Sequence, residues 1–180
     1  LRDSKLLTPV ERRSLVPRIQ RWCADGAVGH ATAGEIDELG ILRALRLAGE
    51  RALAALPAVP PVLILDGNYD WFTRAARCGR SPLEALPTIE LEVKGDLTCA
   101  SVAAASVLAK VARDAVMVDL AATHAGYDWE LNKGYASPTH LAALRERGPC
   151  EEHRRSWQLA GTVPEQLELV LVDEPVVAST

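Results

Sequence analysis

Two aspartates stand where a carboxylate could do chemistry, and the first is Asp66. It directly follows the apolar run VLIL at 62–65, which is typical of a strand buried on both faces of a partly parallel sheet. Asp-Gly is a common turn sequence, so the carboxylate of Asp66 could simply cap nearby N–H groups. Ligands of α/β sheets gather at the carboxyl ends of strands, so the same carboxylate could also hold a metal ion.

Asp114, the second aspartate, lies in a helix predicted over about residues 98–122. The stretch ASVAAASVLAKVARDAVMV is apolar nearly all round, which predicts a buried helix. A buried carboxylate must be paired or bind a metal. Pairing with Lys110, one turn earlier, is one alternative, although this order of charges is worth only roughly a few tenths of a kcal/mol. The other alternative brings Asp66 and Asp114 together around one cation.

The helices that would position these carboxylates begin at recognisable caps. The sequence TPVE predicts a helix from a Thr8 cap to about Cys23, and TAGE predicts a long second helix with Thr32 as its cap. A third helix is expected between a Ser137 cap and Gly148. Apolar residues of the long helix recur every three or four positions and predict one stripe, formed by Ile41, Leu45, Ala48, Ala52 and Leu56.

Composition indicates an ordinary globular α/β protein. The 180 residues are 48% hydrophobic and 24% charged, enough for one domain with a sizeable core. The alternating sequence TIELEVK at 88–94 predicts an edge strand. No apolar stretch approaches membrane-spanning length, and the four cysteines show no CxxC pair. We therefore expect a cytoplasmic protein with reduced thiols that does not bind membranes. A monomer is the default expectation.

The net charge of −4 does not exclude a polyanionic partner. Residues 161–180 hold four acidic and no basic side chains, so the rest of the chain is neutral overall. Local basic clusters can still bind phosphates, although most such clusters are solvated helix faces. The clusters are Arg12, Arg13, Arg18 and Arg21, then Lys110 and Arg113, then Arg145, Arg147, Arg154 and Arg155.

Six blocks together resemble a known family. They are DSKLL (3–7), LDGN (65–68), KGD (94–96), SVAAASVLAKVARD (101–114), NKGY (132–135) and GPCEEHRRSW (148–157). Their order and spacing resemble type 2 ribonuclease H, and in particular bacterial ribonuclease HII. The resemblance implies an α/β, RNase H-like fold with a mixed sheet flanked by helices, as a catalytic domain over 1–160 before an acidic tail at 161–180. It also implies cleavage of the RNA strand of RNA–DNA hybrids and nicking of duplex DNA 5′ of an embedded ribonucleotide.

The same resemblance implies roles for single residues. Asp66 and Asp114 become the third and fourth of the family's four metal-binding carboxylates, which hold Mg²⁺ or Mn²⁺, hard ions that prefer oxygen ligands. Tyr135 packs on the sugar beside the ribonucleotide. Phosphate contacts are expected from Ser4, Lys5, Lys94 and Lys133, which position the duplex without reading its sequence.

The sequence also departs from the family pattern. The family's first two carboxylates, an Asp-Glu pair, and its Gly-Arg-Gly reader of the 2′-hydroxyl are not found, because the chain opens at LRDSK, just downstream of where both belong. We expect that a segment ahead of Leu1 supplies them, and that these 180 residues alone have little activity. Two alternatives stay open: a catalytically incomplete nucleic-acid-binding module, and a structural or protein-interaction domain. Asn132 stands where the family usually has histidine.

Overall fold

The computed structural model of the protein describes residues 7–74, 83 and 85–156. The expectations for Ser4, Lys5 and the tail at 161–180 lie outside these residues. The described elements, in chain order, are α1 (Pro9–Trp22), α2 (Ala33–Leu39), α3 (Ile41–Ala54), β1 (Val62–Asp66), β2 (Thr88–Glu92), α4 (Gly95–Thr98), α5 (Ala100–Thr123), α6 (Trp129–Asn132) and α7 (Pro138–Arg147). This confirms the α/β class. The chain forms two compact units, Leu1–Val116 and Met117–Thr180.

Local capping chemistry explains where the helices begin. Thr8 accepts a hydrogen bond from the Glu11 backbone N–H, and the Glu11 carboxylate accepts one from the Thr8 N–H, so the predicted capping box is confirmed. Thr32 opens α2 in the same way. Ser137 caps α7, which ends at Gly148 as expected.

The long second helix expected from the sequence is wrong, because it is two helices. Gly40 has a φ of 78° and separates α2 from α3; this left-handed φ favours glycine and interrupts a right-handed helix. The expected apolar stripe is also wrong, since Ile41 and Leu45 are 46% and 40% exposed. The buried residues of α3 are Ala44, Arg46, Glu50 and Leu53. Two charged side chains can lie on this face because they form an ion pair with each other.

The two strands run parallel in register, with Val62 opposite Thr88 and Asp66 opposite Glu92. The predicted strand at 88–94 is therefore confirmed over Thr88–Glu92. The prediction that β1 is buried on both faces is wrong at the start of the strand, because Val62 is 41% exposed whereas Leu65 is 4% exposed. Within the described residues β1 pairs along one edge only, and the core that covers Leu65 is built on Leu53 and Phe72.

The predicted long helix is confirmed as α5, but its burial is narrower than expected. Ala103, Ala104 and Val107 are buried, whereas Val116 and Val118 are both 42% exposed. In the first unit, Ala104 and Val107 pack against Ile19 of α1. The second unit has its own core of Tyr127, Trp129, Ala143 and Leu144. Within the described residues, no helix combines the length and apolarity that crossing a membrane requires.

Candidate functional site

Asp66 is the last residue of β1, and its carboxylate caps a turn that follows β2. The Gly95 backbone N–H donates to Asp66 Oδ1 at 2.9 Å. One residue further on, the Gly67 N–H donates to the Glu92 carbonyl, also at 2.9 Å. These bonds join the LDGN and KGD segments, which lie about thirty residues apart. Asp66 remains solvent-exposed, so capping the turn is compatible with binding a ligand.

The turn that holds Asp66 depends on an unusual backbone at Lys94. Lys94 has φ 57° and ψ 40°, the left-handed conformation, which costs a residue with a side chain about 1–2 kcal/mol. Gly95 follows it in a tight space, because a Cβ there would lie 3.2 Å from Glu92 Cγ and 3.4 Å from Val102 Cγ1. The exposed Lys94 therefore directly precedes the N–H group that orients Asp66. Strained backbone of this kind is often found at functional sites.

Asp114 lies on α5 among three cationic side chains. Lys110 Nζ contacts Asp114 Oδ1, which confirms the pairing that the sequence left as one alternative. Arg12 Nη2 lies 3.7 Å from Asp114 Oδ2, and Arg113 Nη1 lies 3.7 Å from Oδ1. The side chain of Asp114 is only 15% exposed. A carboxylate with so little access to water needs a compensating charge, and the three cations supply it.

Arg12 belongs to a basic cluster of the kind that is usually a solvated helix face, but this residue is not solvated. The residue is 7% exposed, and its Nη1 donates to the Leu7 carbonyl at 2.6 Å. A signal was available in the sequence, because Arg12 precedes the buried Ile19 by seven residues and therefore shares its face of α1.

The donor chemistry of these aspartates fits a divalent cation only in part. Carboxylate oxygens are the ligands that Mg²⁺ and Mn²⁺ prefer, and both aspartates belong to the first unit. In the described part of the chain, however, no group of three or more His, Cys, Asp or Glu side chains is arranged to hold a metal. Two carboxylates leave most coordination positions to water, to substrate phosphates or to other residues.

The second unit carries the other predicted residues, Lys133 and Tyr135, on the turn between α6 and α7. Lys133 and Gly134 both have left-handed backbones, with φ of 52° and 77°. The Asn132 side chain stabilises this turn by donating to the Tyr127 carbonyl and accepting from the Gly134 N–H, each at 2.7 Å. Tyr135 is 58% exposed.

A chain of buried hydrogen bonds behind this turn was not foreseen from the sequence. His140 and His153 are 5% and 7% exposed, and their Nε2 atoms lie 3.1 Å apart. His140 Nε2 also accepts from the Trp129 indole N–H at 3.3 Å, and His140 Nδ1 lies 2.9 Å from the Tyr135 carbonyl. At the other end, His153 Nδ1 accepts from the Cys150 N–H at 3.1 Å. The histidines are thirteen residues apart in sequence, a separation that no helical or strand spacing links.

Cys150 and His153 lie as close together as a catalytic thiol and its base, but their pKa values are not those of an activated pair. Cys150 Sγ lies 3.2 Å from His153 Nδ1. Burial raises the pKa of the Cys150 thiol, and burial followed by the neighbouring His140 lowers the pKa of His153 to about 4. Both groups are therefore neutral near pH 7, which indicates a structural pair rather than an activated thiolate.

We expect His153 to make folding sensitive to acid. The unfolded imidazole binds a proton near pH 6.5, whereas the folded one does so only near pH 4. Its contribution to the free energy of unfolding is thus complete above pH 6.5 and is lost as the pH falls toward 4. Urea unfolding of the wild type and His153→Gln over that range isolates the effect from the carboxylates and from His124. Parallel stability–pH curves for the two proteins would contradict this assignment.

Comparison with known proteins places the chain in one family. The sequence model described as Ribonuclease HII matches residues 1–160. The chain is 46% identical over 165 residues to a ribonuclease HII of Streptomyces avermitilis, a match that covers 92% of this chain and 66% of the relative. It is 48% identical over 158 residues to one of a Ruegeria species, covering 88% of this chain and 64% of the relative. The chain thus spans about two thirds of the length of the curated relatives it matches.

A solved structure supports the same assignment. The crystal structure of ribonuclease H2 from Pyrococcus horikoshii superposes with a TM-score of 0.65 at 25% identity, covering 87% of this chain and 76% of that one. The sequence match and the shared fold agree over most of the described residues. The chain belongs to the ribonuclease HII family.

Proposed function

We propose that the protein is a metal-dependent endoribonuclease of type 2 ribonuclease H activity. It hydrolyses the RNA strand of RNA–DNA hybrids and nicks duplex DNA 5′ of embedded ribonucleotides, as a cytoplasmic monomer serving ribonucleotide excision. The observation that carries the proposal is the exposed carboxylate of Asp66 at the end of β1, oriented by the Gly95 N–H in a chain of the ribonuclease HII family. The carboxyl end of a parallel strand is where α/β proteins place ligands.

In this proposal Asp66 and Asp114 are metal ligands for Mg²⁺ or Mn²⁺. Asp66 offers an exposed carboxylate, whereas Asp114 would hold the ion with a carboxylate that also contacts Lys110 and Arg12. When bound, such ions activate the attacking water and stabilise the leaving 3′ oxygen. The protein's own contribution is to fix the carboxylates, which the Gly95 N–H does for Asp66.

Duplex binding is assigned to residues that can contact phosphate and sugar. Lys94 is exposed next to the Asp66 cap, and Lys133 precedes the exposed Tyr135. We assign phosphate contacts to both lysines and to Ser4 and Lys5, which gives affinity without sequence preference. Tyr135 packs its ring on the sugar beside the ribonucleotide.

Cleavage of four matched duplexes tests the proposal. The full-length gene product is incubated with DNA–DNA, RNA–RNA, RNA–DNA and DNA containing one ribonucleotide, in Mg²⁺, in Mn²⁺ and in chelator. We expect cleavage of the last two substrates only, and only with a divalent ion. Comparable cleavage of double-stranded RNA, or cleavage in chelator, would rule out the assigned activity.

Replacing Tyr135 tests the sugar contact. Tyr135→Ala is expected to slow cleavage at a lone ribonucleotide roughly tenfold, because the apolar surface that the ring buries against the sugar is worth about 1–2 kcal/mol. Nonspecific duplex binding should change much less, since phosphate contacts supply most of it. Tyr135→Phe keeps the ring and serves as the control, with near wild-type cleavage. If the alanine and phenylalanine variants cleave equally fast, the ring does not contact the sugar.

A binding module without catalysis is the second candidate. It is favoured by the ion pairs of Asp114 with three cations and by the lack of a three-ligand group among the described residues. Such a module should bind hybrid duplex with a strong salt dependence and without any need for a divalent ion. Salt-dependent binding by the full-length gene product without cleavage in either metal would favour this candidate.

A further inference from the structure

The buried hydrogen bonds that link His153 and His140 end at the backbone carbonyl of Tyr135, the residue assigned to the sugar contact. The Tyr135 carbonyl lies 2.9 Å from His140 Nδ1 and also accepts from the Ser137 N–H at 2.7 Å. We propose that His140 is a positioning residue for Tyr135, and that His153 holds His140 in the required tautomer. The functional part of this proposal rests on the proposed function, since it takes Tyr135 as a substrate contact.

The groups at the two ends of this hydrogen-bonded series determine the position of every proton on the two imidazoles. An indole N–H can only donate, so His140 Nε2 must be the acceptor for Trp129. His153 Nε2 then carries the proton that it donates to His140 Nε2. This leaves His153 Nδ1 as the acceptor for the Cys150 N–H. It also leaves His140 Nδ1 protonated, facing a carbonyl oxygen that can only accept.

One arrangement therefore gives each of these contacts a donor and an acceptor, with the single lone pair of His140 Nε2 shared between Trp129 and His153. Both imidazoles are neutral, and each donates one hydrogen bond in the direction of Tyr135. Moving either proton would set two donors or two acceptors against each other in a buried place, which is costly. The arrangement thus keeps a donor permanently aimed at the Tyr135 carbonyl.

Fixing this carbonyl restrains the backbone from which the Tyr135 side chain leaves, and so the direction of its Cα–Cβ bond. The carbonyl defines the peptide plane between Tyr135 and the next residue, while the Tyr135 N–H donates to the Asn132 carbonyl at 3.0 Å. The backbone is thereby held on both sides of the Cα atom that carries an otherwise 58% exposed residue. A ring that leaves a fixed backbone makes a sugar contact at a lower entropic cost, because less of the chain has to be ordered on binding.

Two substitutions at His140 separate positioning from simple packing. The amide nitrogen of asparagine occupies nearly the place of Nδ1, so His140→Asn keeps the donor to Tyr135 and loses the acceptor for Trp129 and His153. Glutamine reaches the place of Nε2, so His140→Gln keeps that acceptor and loses the donor. At His153 the preference reverses, because His153→Gln keeps the donor to His140 and His153→Asn does not.

Amide hydrogen exchange at Ser137 reads the turn directly, because its N–H bonds to the same carbonyl. In the full-length gene product, His140→Gln and His153→Asn should speed this exchange by roughly tenfold, whereas His140→Asn and His153→Gln stay within about threefold of wild type. The same two damaging variants should lower kcat at a lone ribonucleotide roughly 10- to 100-fold. KM should change little, since phosphate contacts remain.

A purely structural role would not make asparagine the better substitute at His140 and glutamine the better substitute at His153. If exchange at Ser137 follows only the overall stability of the four variants, or if asparagine and glutamine rank the same way at both positions, the proposal is overturned. Hydrogen exchange is measured without substrate, so its result does not depend on whether the proposed function is correct. A reversal in exchange without a matching change in kcat supports the hydrogen-bond chain and refutes the role of Tyr135 at the substrate.

Discussion

Asp66→Asn is expected to reduce turnover on an RNA–DNA hybrid by at least about 100- to 1,000-fold in the full-length gene product. The loss corresponds to several kcal/mol of charge stabilisation by a bound cation. Asparagine still offers an oxygen to the Gly95 N–H, which donates to Asp66 Oδ1 at 2.9 Å, so the turn should persist. Affinity for the hybrid should change less than about threefold, because phosphate contacts dominate binding.

Asp70→Asn is the matched control for this substitution. Asp70 lies four residues after Asp66, and its Oδ1 accepts from the Phe72 and Thr73 N–H groups at 3.0 and 2.8 Å. Asparagine can keep these caps, so turnover and affinity should both remain close to wild type. Turnover of Asp66→Asn within about tenfold of Asp70→Asn would show that the carboxylate is not a ligand of a catalytic ion.

Glu50→Ala should lower the free energy of unfolding by about 3–5 kcal/mol, because it leaves a buried guanidinium without its carboxylate. Arg46 Nε lies 3.0 Å from Glu50 Oε1, and both residues are 3% exposed. The same guanidinium donates to the Thr73 carbonyl at 3.3 Å and lies 5.7 Å from the centre of the Phe72 ring. The pair therefore ties α3 to the segment that follows Asp66.

A more exposed ion pair, which joins α2 to α3, provides the comparison. Arg51 and Glu35 form a bidentate pair, with their side chains 43% and 28% exposed. Arg51→Met should lower the free energy of unfolding by at most about 1 kcal/mol, because exposed ion pairs contribute little. The free energies of unfolding of both variants can be compared by urea denaturation. If Glu50→Ala is no more destabilising than Arg51→Met, the burial of the Arg46 pair has no energetic importance.

Features set by neighbouring residues could be predicted from the sequence. The caps at Thr8, Thr32 and Ser137 depend on residues three positions away, and all three form as expected. The bond from Lys110 to Asp114 is local in the same sense. The position of Asp66 at a strand end followed from the apolar run that precedes it.

Features that depend on tertiary contacts could not be predicted. Hydrophobic patterning assigns charged residues to the surface, so it missed Arg46 and Glu50, which lie in the core because they neutralise each other. It likewise missed Arg12, which reaches Asp114 from another helix. The pairing of His140 with His153 depends on how the chain folds back after α7.

The chemical ends left by cleavage at a single embedded ribonucleotide test the central claim most directly. Attack by the ribonucleotide's own 2′-hydroxyl can reach only the phosphate on its 3′ side and leaves a 2′,3′-cyclic phosphate. A cut on the 5′ side therefore requires an external water, and activating that water is the chemistry that ions held by Asp66 and Asp114 would supply. The full-length gene product with Mg²⁺ or Mn²⁺ should make one cut on the 5′ side, leaving a 3′-hydroxyl and a 5′-phosphate. A cut on the 3′ side with a cyclic phosphate would contradict the account.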